Sequence, residues 1–475
     1  MLNRIKSKIK QTRPYQFFFR SKVQNLNLDA SRDENQVLDD IASWVVSAES
    51  SELDYSTMVA AKRAVLDALV ALILGTQSTE GHSILRFAEI LSGARRKCYI
   101  YSSKGKLSCS LAAYAGSALC QVHDVNDGHP AQGEKGASFH PGRVIVPTAL
   151  ALAQEANLTG KQFLKSVAIG YDVALNVMNG PIGSPSDAYG ASAVACYAYG
   201  LSKEEVSFAL RLAGFSASKS GAEDFEVNNL TCAQQARGGV ESAEMVRLGY
   251  PISKSLPSRC QLFRFDTPEN LGVTLKDLYF KPYPSCRYTH PFIEAAFELR
   301  PKVIEKLDSI KVITICLQKA WFGIAYKIGP REYFKSYQFS ASYCTVLALI
   351  DGQVGLQQFT PECTDDELAQ SIQNKVIFKE YHTESATSHS QNSFLGGSLK
   401  IELNDGSIFT HDITVARGSA ENPLTNEELV MKLVDWNVIS LEKAEGLINI
   451  VMSLDTMNTM DELIHYLQEL GGSCK

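Results

Sequence analysis

From about Glu34 to Tyr250 apolar residues return at three- and four-residue intervals, the spacing of helices that bury one face. Val59-Ala-Ala-Lys-Arg-Ala-Val-Leu-Asp-Ala-Leu-Val-Ala-Leu is one such run. Small residues crowd Ala112 to Ala118, Pro147 to Ala156 and Tyr189 to Tyr199, where Ala and Gly let helices approach closely around a shared centre. The texture changes near Leu271. Lys311-Val-Ile-Thr-Ile-Cys-Leu and Lys375-Val-Ile-Phe-Lys-Glu-Tyr carry the β-branched enrichment of strands. Leu399-Lys-Ile-Glu-Leu runs through Asn404-Asp405-Gly406 into Ile408-Phe-Thr-His-Asp-Ile-Thr-Val, a predicted hairpin. Helical pattern resumes after Asn422-Pro423, with Thr425 as N-cap and Glu428 placed to close a capping box. The predicted fold class is mainly α. A basic tail covers 1–33, a helical domain covers 34–270 and resumes over 417–475, and a smaller α+β lid domain is inserted over 271–416.

Composition narrows the function classes. The 475 residues are 45% hydrophobic and 21% charged, ordinary globular material that favours two or three domains. A net charge of −6 offers no overall field for nucleic acid, so an anionic ligand must be met by local basic groups. The eleven cysteines are scattered without a C-x-x-C pair, which reads as reduced thiols and argues against a structural zinc or an iron–sulfur cluster. The most apolar stretch, Ala64 to Leu74, is interrupted by Asp67 and is too short to span a bilayer. No membrane partner is expected. The first segment holds seven basic residues before Asp29, a basic tail on a cytoplasmic protein or, alternatively, a mitochondrial presequence.

Three segments could carry chemistry. Gln121-Val-His-Asp-Val-Asn-Asp-Gly-His-Pro with Ser138-Phe-His-Pro-Gly-Arg gathers His123, Asp124, Asp127, His129, His140 and Arg143 directly after an alanine-rich helix. Groups held against a core have shifted pKa values, which acid–base catalysis requires. The same residues also suit a plain polar turn, and His123-Asp124 matches the ligand pair of HD-type phosphohydrolases, a short signal. Lys281-Pro-Tyr-Pro-Ser-Cys-Arg-Tyr-Thr-His is kept from regular helix by its prolines and presents Lys281, Arg287 and His290 to a carboxylate, or serves only as a connector. Cys286 within it reads as an inert thiol. Tyr343 falls in the first turn of a buried helix, placed either to donate to an anion or to pack.

Taken together these segments resemble the MmgE/PrpD family, which includes 2-methylcitrate dehydratase, cis-aconitate decarboxylase and iminodisuccinate epimerase. The resemblance runs from Glu34 to Ile464. It is carried by the H-D-x-x-D turn at His123 to Asp127, His140-Pro-Gly-Arg-Val-Ile-Val-Pro-Thr-Ala-Leu-Ala-Leu-Ala, Gly170-Tyr-Asp-Val, Tyr199-Gly-Leu-Ser, Arg237-Gly-Gly-Val-Glu, the Lys281 segment and Gly418-Ser-Ala-Glu-Asn-Pro-Leu. It implies a homodimer of helical domains, each with an α+β lid, and an active site in the cleft between them that uses no cofactor and no metal. Carried over by residue, the catalytic positions fall on Asp124, His140 and Tyr343. His129, Arg143, Lys281, Arg287 and His290 are expected to meet the substrate, and His129 rivals His140 because the turn is lengthened by Gly133-Glu-Lys-Gly.

The resemblance implies cofactor-independent dehydration or hydration of a small polycarboxylate such as 2-methylcitrate, by proton abstraction α to a carboxylate. His140, oriented by Asp124, is expected to move the proton, with Tyr343 as complementary donor. Three departures weigh against cis-aconitate decarboxylation. Asn179 to Tyr189 holds no His, Asn228 or a neighbour stands at the decarboxylase's Lys, and Cys286 at its lid His. Racemisation or epimerisation of a substituted dicarboxylate uses the same parts. A catalytically inactive, metabolite-binding member is a further alternative.

Overall fold

The computed structural model describes residues 34–94, 96–130, 138–179, 186–216, 228–251, 253, 262–318, 334–380 and 396–472. The basic tail, the Gly133 to Gly136 insert and most of the Asn179 to Tyr189 stretch lie outside the described residues. The first half is helical: α1 (Glu34–Ala48), α2 (Tyr55–Gly75), α3 (Thr79–Leu91), α4 (Cys109–Gln121), α5 (Gly142–Ala156), α6 (Gly160–Asn176), α7 (Ser186–Tyr199), α8 (Lys203–Ser216) and α9 (Asn228–Arg247). Two short antiparallel ribbons interrupt it. One pairs β1 (His129–Pro130) with β2 (Ser138–Phe139), the other β3 (Val177–Asn179) with β4 (Leu262–Phe265).

Local chemistry starts these helices where the polar pattern says it should. Asp54 accepts the Thr57 N–H at 2.7 Å ahead of α2, and Thr159 with Gln162 closes a capping box on α6. Helix α2 is buried on every side from Ala64 to Gly75, so it runs through the centre of the helical core. Burying a Val or Leu contributes roughly 1.5–3 kcal/mol. Val65, Leu66, Leu69 and Val70 therefore outweigh the several kcal/mol that burying Asp67 among them costs. At Gly75 helix α4 approaches so closely that a Cβ would lie 2.1 Å from the Leu119 carbonyl oxygen, the role expected of the small residues.

The second half contains α10 (His290–Val303), β5 (Ile310–Leu317), α11 (Ala341–Asp351), α12 (Pro361–Thr364), α13 (Glu367–Gln373), β6 (Val376–Glu380), β7 (Gly397–Leu403) and β8 (Ile408–Ile413). These strands form one mixed sheet in the order β6-β5-β7-β8. β5 runs parallel to β6 and antiparallel to β7, and β7 and β8 are the predicted hairpin. Along β7, Leu399, Ile401 and Leu403 turn inward, the two-residue period of a half-buried strand. Three further helices close the chain: α14 (Asn426–Asp435), α15 (Leu441–Met452) and α16 (Asp461–Gly472). The capping box at Thr425 and Glu428 forms as predicted.

The fold is mainly α with a small four-stranded sheet, the class the sequence predicts. Its apolar side chains gather in two cores. The first draws on Val37 to Phe280 and again on Leu424 to Leu470; the second draws on Tyr279 to Leu403. The chain between Tyr279 and His290 joins them. Gly418 clamps this segment: it takes φ 91°, and its carbonyl accepts the Phe280 N–H at 2.9 Å. A Cβ there would sit 1.9 Å from the Phe280 oxygen, so only glycine fits.

Candidate active site

The chain leaves the buried helix α4 through Asp124, a residue in the left-handed region at φ 51° whose short polar side chain tolerates that conformation. Four residues on, Gly128 exchanges both main-chain hydrogen bonds with Tyr279, at 3.0 and 2.8 Å. A side chain at Gly128 would collide with the Tyr279 ring at 2.3 Å. That bridge brings Lys281 onto the turn. The Lys281 ammonium, 1% exposed, donates to the Asp124 carboxylate Oδ2 at 2.9 Å and to the Asp124 carbonyl at 2.8 Å. This buried charge pair joins the two most suggestive segments of the sequence.

His140 stands beside it, half-buried, with its ring edge-on to Tyr279. Its Nδ1 lies 2.7 Å from the Asp127 carbonyl oxygen. A carbonyl only accepts, so Nδ1 carries the hydrogen and Nε2 keeps its lone pair. Burial, then the positive charges of Lys281 and Arg143, pushes the imidazole down to about 3, with Asp124 pulling the other way. The ring is therefore neutral across the physiological range. The ring's hydrogen bond is to the Asp127 main chain, while Asp124 acts on it through its charge.

The Asp127 carboxyl faces the first turn of α5. Burial, then the charge of Asp67, raises it to about 7, and the Tyr171 hydroxyl donates to its Oδ2 at 2.5 Å. The approach is so close that a Cβ at Gly142 would meet Asp127 Oδ1 at 2.4 Å. Arg143, on the same turn of α5, donates to Gln121 Oε1 at 2.6 Å, and Gln121 in turn donates to Asp124 Oδ1 at 3.2 Å. The second end of the Arg143 guanidinium lies 3.8 Å from Asp187. Arg143 is thus a cation held within reach of the Asp124–Lys281 pair. Cys286 lies in the same electrostatic neighbourhood, but burial and then Asp124 push its thiol up to about 12, so it stays protonated.

Profiles of the MmgE/PrpD N-terminal and C-terminal domains match residues 39–257 and 283–456. The chain belongs to the MmgE/PrpD family. A cis-aconitate decarboxylase-like protein of Aspergillus oryzae is 23% identical, over 91% of this chain and 98% of that protein. The human cis-aconitate decarboxylase is 23% identical, over 86% of this chain and 89% of its own. That of Aspergillus terreus is 21% identical, over 92% and 97%.

Within this member of the family, other residues singled out from the sequence lie in tighter, more structural surroundings. Arg287 is 1% exposed and donates to the Arg417 and Ala416 carbonyls and to Ser419 Oγ, stacked 5.0 Å from the Tyr279 ring centre. His290 bonds through Nδ1 to Arg287 and through Nε2 to the Ser285 carbonyl. Arg287 holds the 279–290 segment against the 416–419 loop, and His290 braces Arg287 from within the segment. Tyr343 occupies the first turn of α11 as predicted, but it sits in the second core with its hydroxyl donating to the Gln358 carbonyl at 2.7 Å. Among the described residues no three His, Cys, Asp or Glu side chains converge as metal ligands, and no helix is long and apolar enough to cross a membrane. The sequence showed Asp67 only as a break in an apolar run and Tyr171 only within a family segment, and nothing in it pointed to Lys432.

His129 is buried on β1, and its Nε2 makes no hydrogen bond among the described residues. Burial pushes its imidazole from 6.5 down to about 4. The folded value lies below the unfolded one, so this ring's contribution to stability is whole above pH about 6.5 and is lost as the pH falls towards about 4. The gap corresponds to on the order of 3 kcal/mol. His129→Gln, which cannot take up a proton, is expected to lose less stability than the parent between pH about 7 and about 4.5, read from urea transitions at both values. Equal losses in the two proteins would assign the acid sensitivity to other groups.

Proposed function

We propose that this protein is a lyase that moves a proton next to a carboxylate of a small polycarboxylate, through His140, and that the outcome is loss or addition of water. One observation carries the reading: the Asp127 carbonyl claims the Nδ1 hydrogen of His140 and leaves Nε2 as an unprotonated base. Lys281 and Arg143 supply positive charge for the substrate's carboxylates and for the negative charge that builds on them as the proton leaves. Once protonated, His140 can return its proton to the departing hydroxyl. Tyr343 takes the donor role only by exchanging its bond to Gln358 for one to the substrate.

The names of the relatives favour a second reading, decarboxylation of cis-aconitate. Against it stand Asn228 or a neighbour, and Cys286, at positions where the decarboxylase pattern carries Lys and His. The same reading takes a homodimeric, cytoplasmic enzyme that needs no cofactor; sedimentation at the mass of one copy would count against the dimer.

Proton NMR in D2O separates the outcomes, using chelator-treated protein with 2-methylcitrate, citrate, cis-aconitate and substituted succinates in turn. A hydration or dehydration product supports the first reading, and a five-carbon unsaturated diacid formed from cis-aconitate by loss of CO2 supports the second. Deuterium entering a recovered substrate without a new product indicates racemisation or epimerisation. With none of these on any acid, before or after metal is restored, both lyase readings fail and a binding role takes their place.

A further inference from the structure

Helix α2 carries Asp67 in its apolar centre, 1% exposed, and helix α14 carries Lys432, 4% exposed. The Lys432 ammonium donates to Asp67 Oδ1 at 3.2 Å and to the main-chain oxygen of Lys281 at 3.1 Å. Asp67 Oδ2 makes no hydrogen bond among the described residues, and the charge of Asp67 is felt at the Asp127 carboxyl. The pair therefore touches the Lys281 side of the site from behind. Lys432 bonds the main chain of the residue whose ammonium pairs with Asp124.

We propose that Asp67 and Lys432 are positioning residues: their buried ion pair anchors the Lys281 segment from behind and helps to fix the separation between His140 and the Lys281 ammonium. The inference rests on the proton-transfer reading of this site. Stability alone does not account for the pair, because two apolar side chains of similar volume hold adjacent helices as well as a buried ion pair or better. What apolar side chains cannot supply is the bond to the Lys281 carbonyl. Without it the Lys281 segment keeps its Gly128 bridge and Gly418 clamp but loses the tie on its own carbonyl, so Lys281 is held less tightly relative to His140, whose charged neighbours are Lys281, Arg143 and Asp124.

The test compares three variants with the parent. Lys432→Met breaks the pair, Asp67→Leu/Lys432→Met replaces it with apolar side chains, and Lys62→Met breaks a different tie of α2, to Asp455 and the Met452 carbonyl, away from the site. Turnover and the NMR titration of the His140 ring, assigned with His140→Gln, are read alongside melting temperature. Lys432→Met and the double variant are both expected to lose roughly 10- to 100-fold in kcat, with a smaller change in KM. In both, the His140 titration is expected to rise by about one unit as the hold of Lys281 loosens. The double variant recovers the melting temperature, so the inference does not depend on Lys432→Met folding. Lys62→Met loses stability without either change.

Parent-like turnover and an unmoved His140 titration in the folded double variant overturn the inference. The same shifts in Lys62→Met also overturn it, since they would track stability alone. If the parent turns over no acid and exchanges no deuterium, the proton-transfer reading fails separately. The ring titration then decides whether the pair positions His140.

Discussion

Replacing His140 with glutamine is expected to lower turnover about a thousandfold while leaving the fold and substrate affinity close to the parent's. The glutamine amide can still donate to the Asp127 carbonyl that now takes the Nδ1 hydrogen, so the local geometry survives. It has no basic lone pair to put where Nε2 stands. The measurement is steady-state kinetics on whichever acid the NMR panel selects, with circular dichroism to check the fold. Parent-like turnover would move the base elsewhere, and His129 would be examined next.

The pH dependence carries a second signature of the same residue. In the free protein His140 is held down to about 3, so it is already deprotonated throughout the neutral range and kcat/KM should show no loss near the ordinary imidazole value. A bound polycarboxylate places negative charge against Lys281 and Arg143, the two cations that depress the ring. Its basicity must then rise. The acid limb of kcat is therefore expected at higher pH than the acid limb of kcat/KM. Coincident limbs would show that substrate charge does not reach the ring.

The largest stability effect is expected at Lys281. Lys281→Met leaves the Asp124 carboxylate buried without its cation and should cost about 3–5 kcal/mol, read from denaturant transitions. Asp124→Asn/Lys281→Met removes both charges and should recover most of that loss, because asparagine tolerates the left-handed backbone at this position. Activity should stay absent in both, since neither retains the cation for the substrate. If the double variant were no more stable than the single one, packing of the lysine stem, and not the ion pair, would account for the loss.

Much of this protein was legible in its sequence because local rules act over a few residues. The helical periodicity before Tyr250, the hairpin at Asn404 to Gly406 and the capping box at Thr425 depend on neighbours within one turn or one loop, and all three appear. The density of His, Asp and Arg after α4 likewise marked the turn that now holds Asp124, Asp127, His140 and Arg143.

Only the tertiary structure decided which of these groups meet, and in what state. Lys281 joins Asp124 across 157 residues and Lys432 joins Asp67 across 365, contacts that no local pattern encodes. The tautomer of His140 follows from a main-chain oxygen, which every residue possesses and no sequence motif distinguishes. Arg287 and Tyr343 have the chemistry of site residues, yet the fold directs their donors to carbonyls in their own surroundings. Residue type sets what a side chain can donate or accept; burial and the nearest unsatisfied partner, which depend on the folded chain as a whole, set which bond it makes.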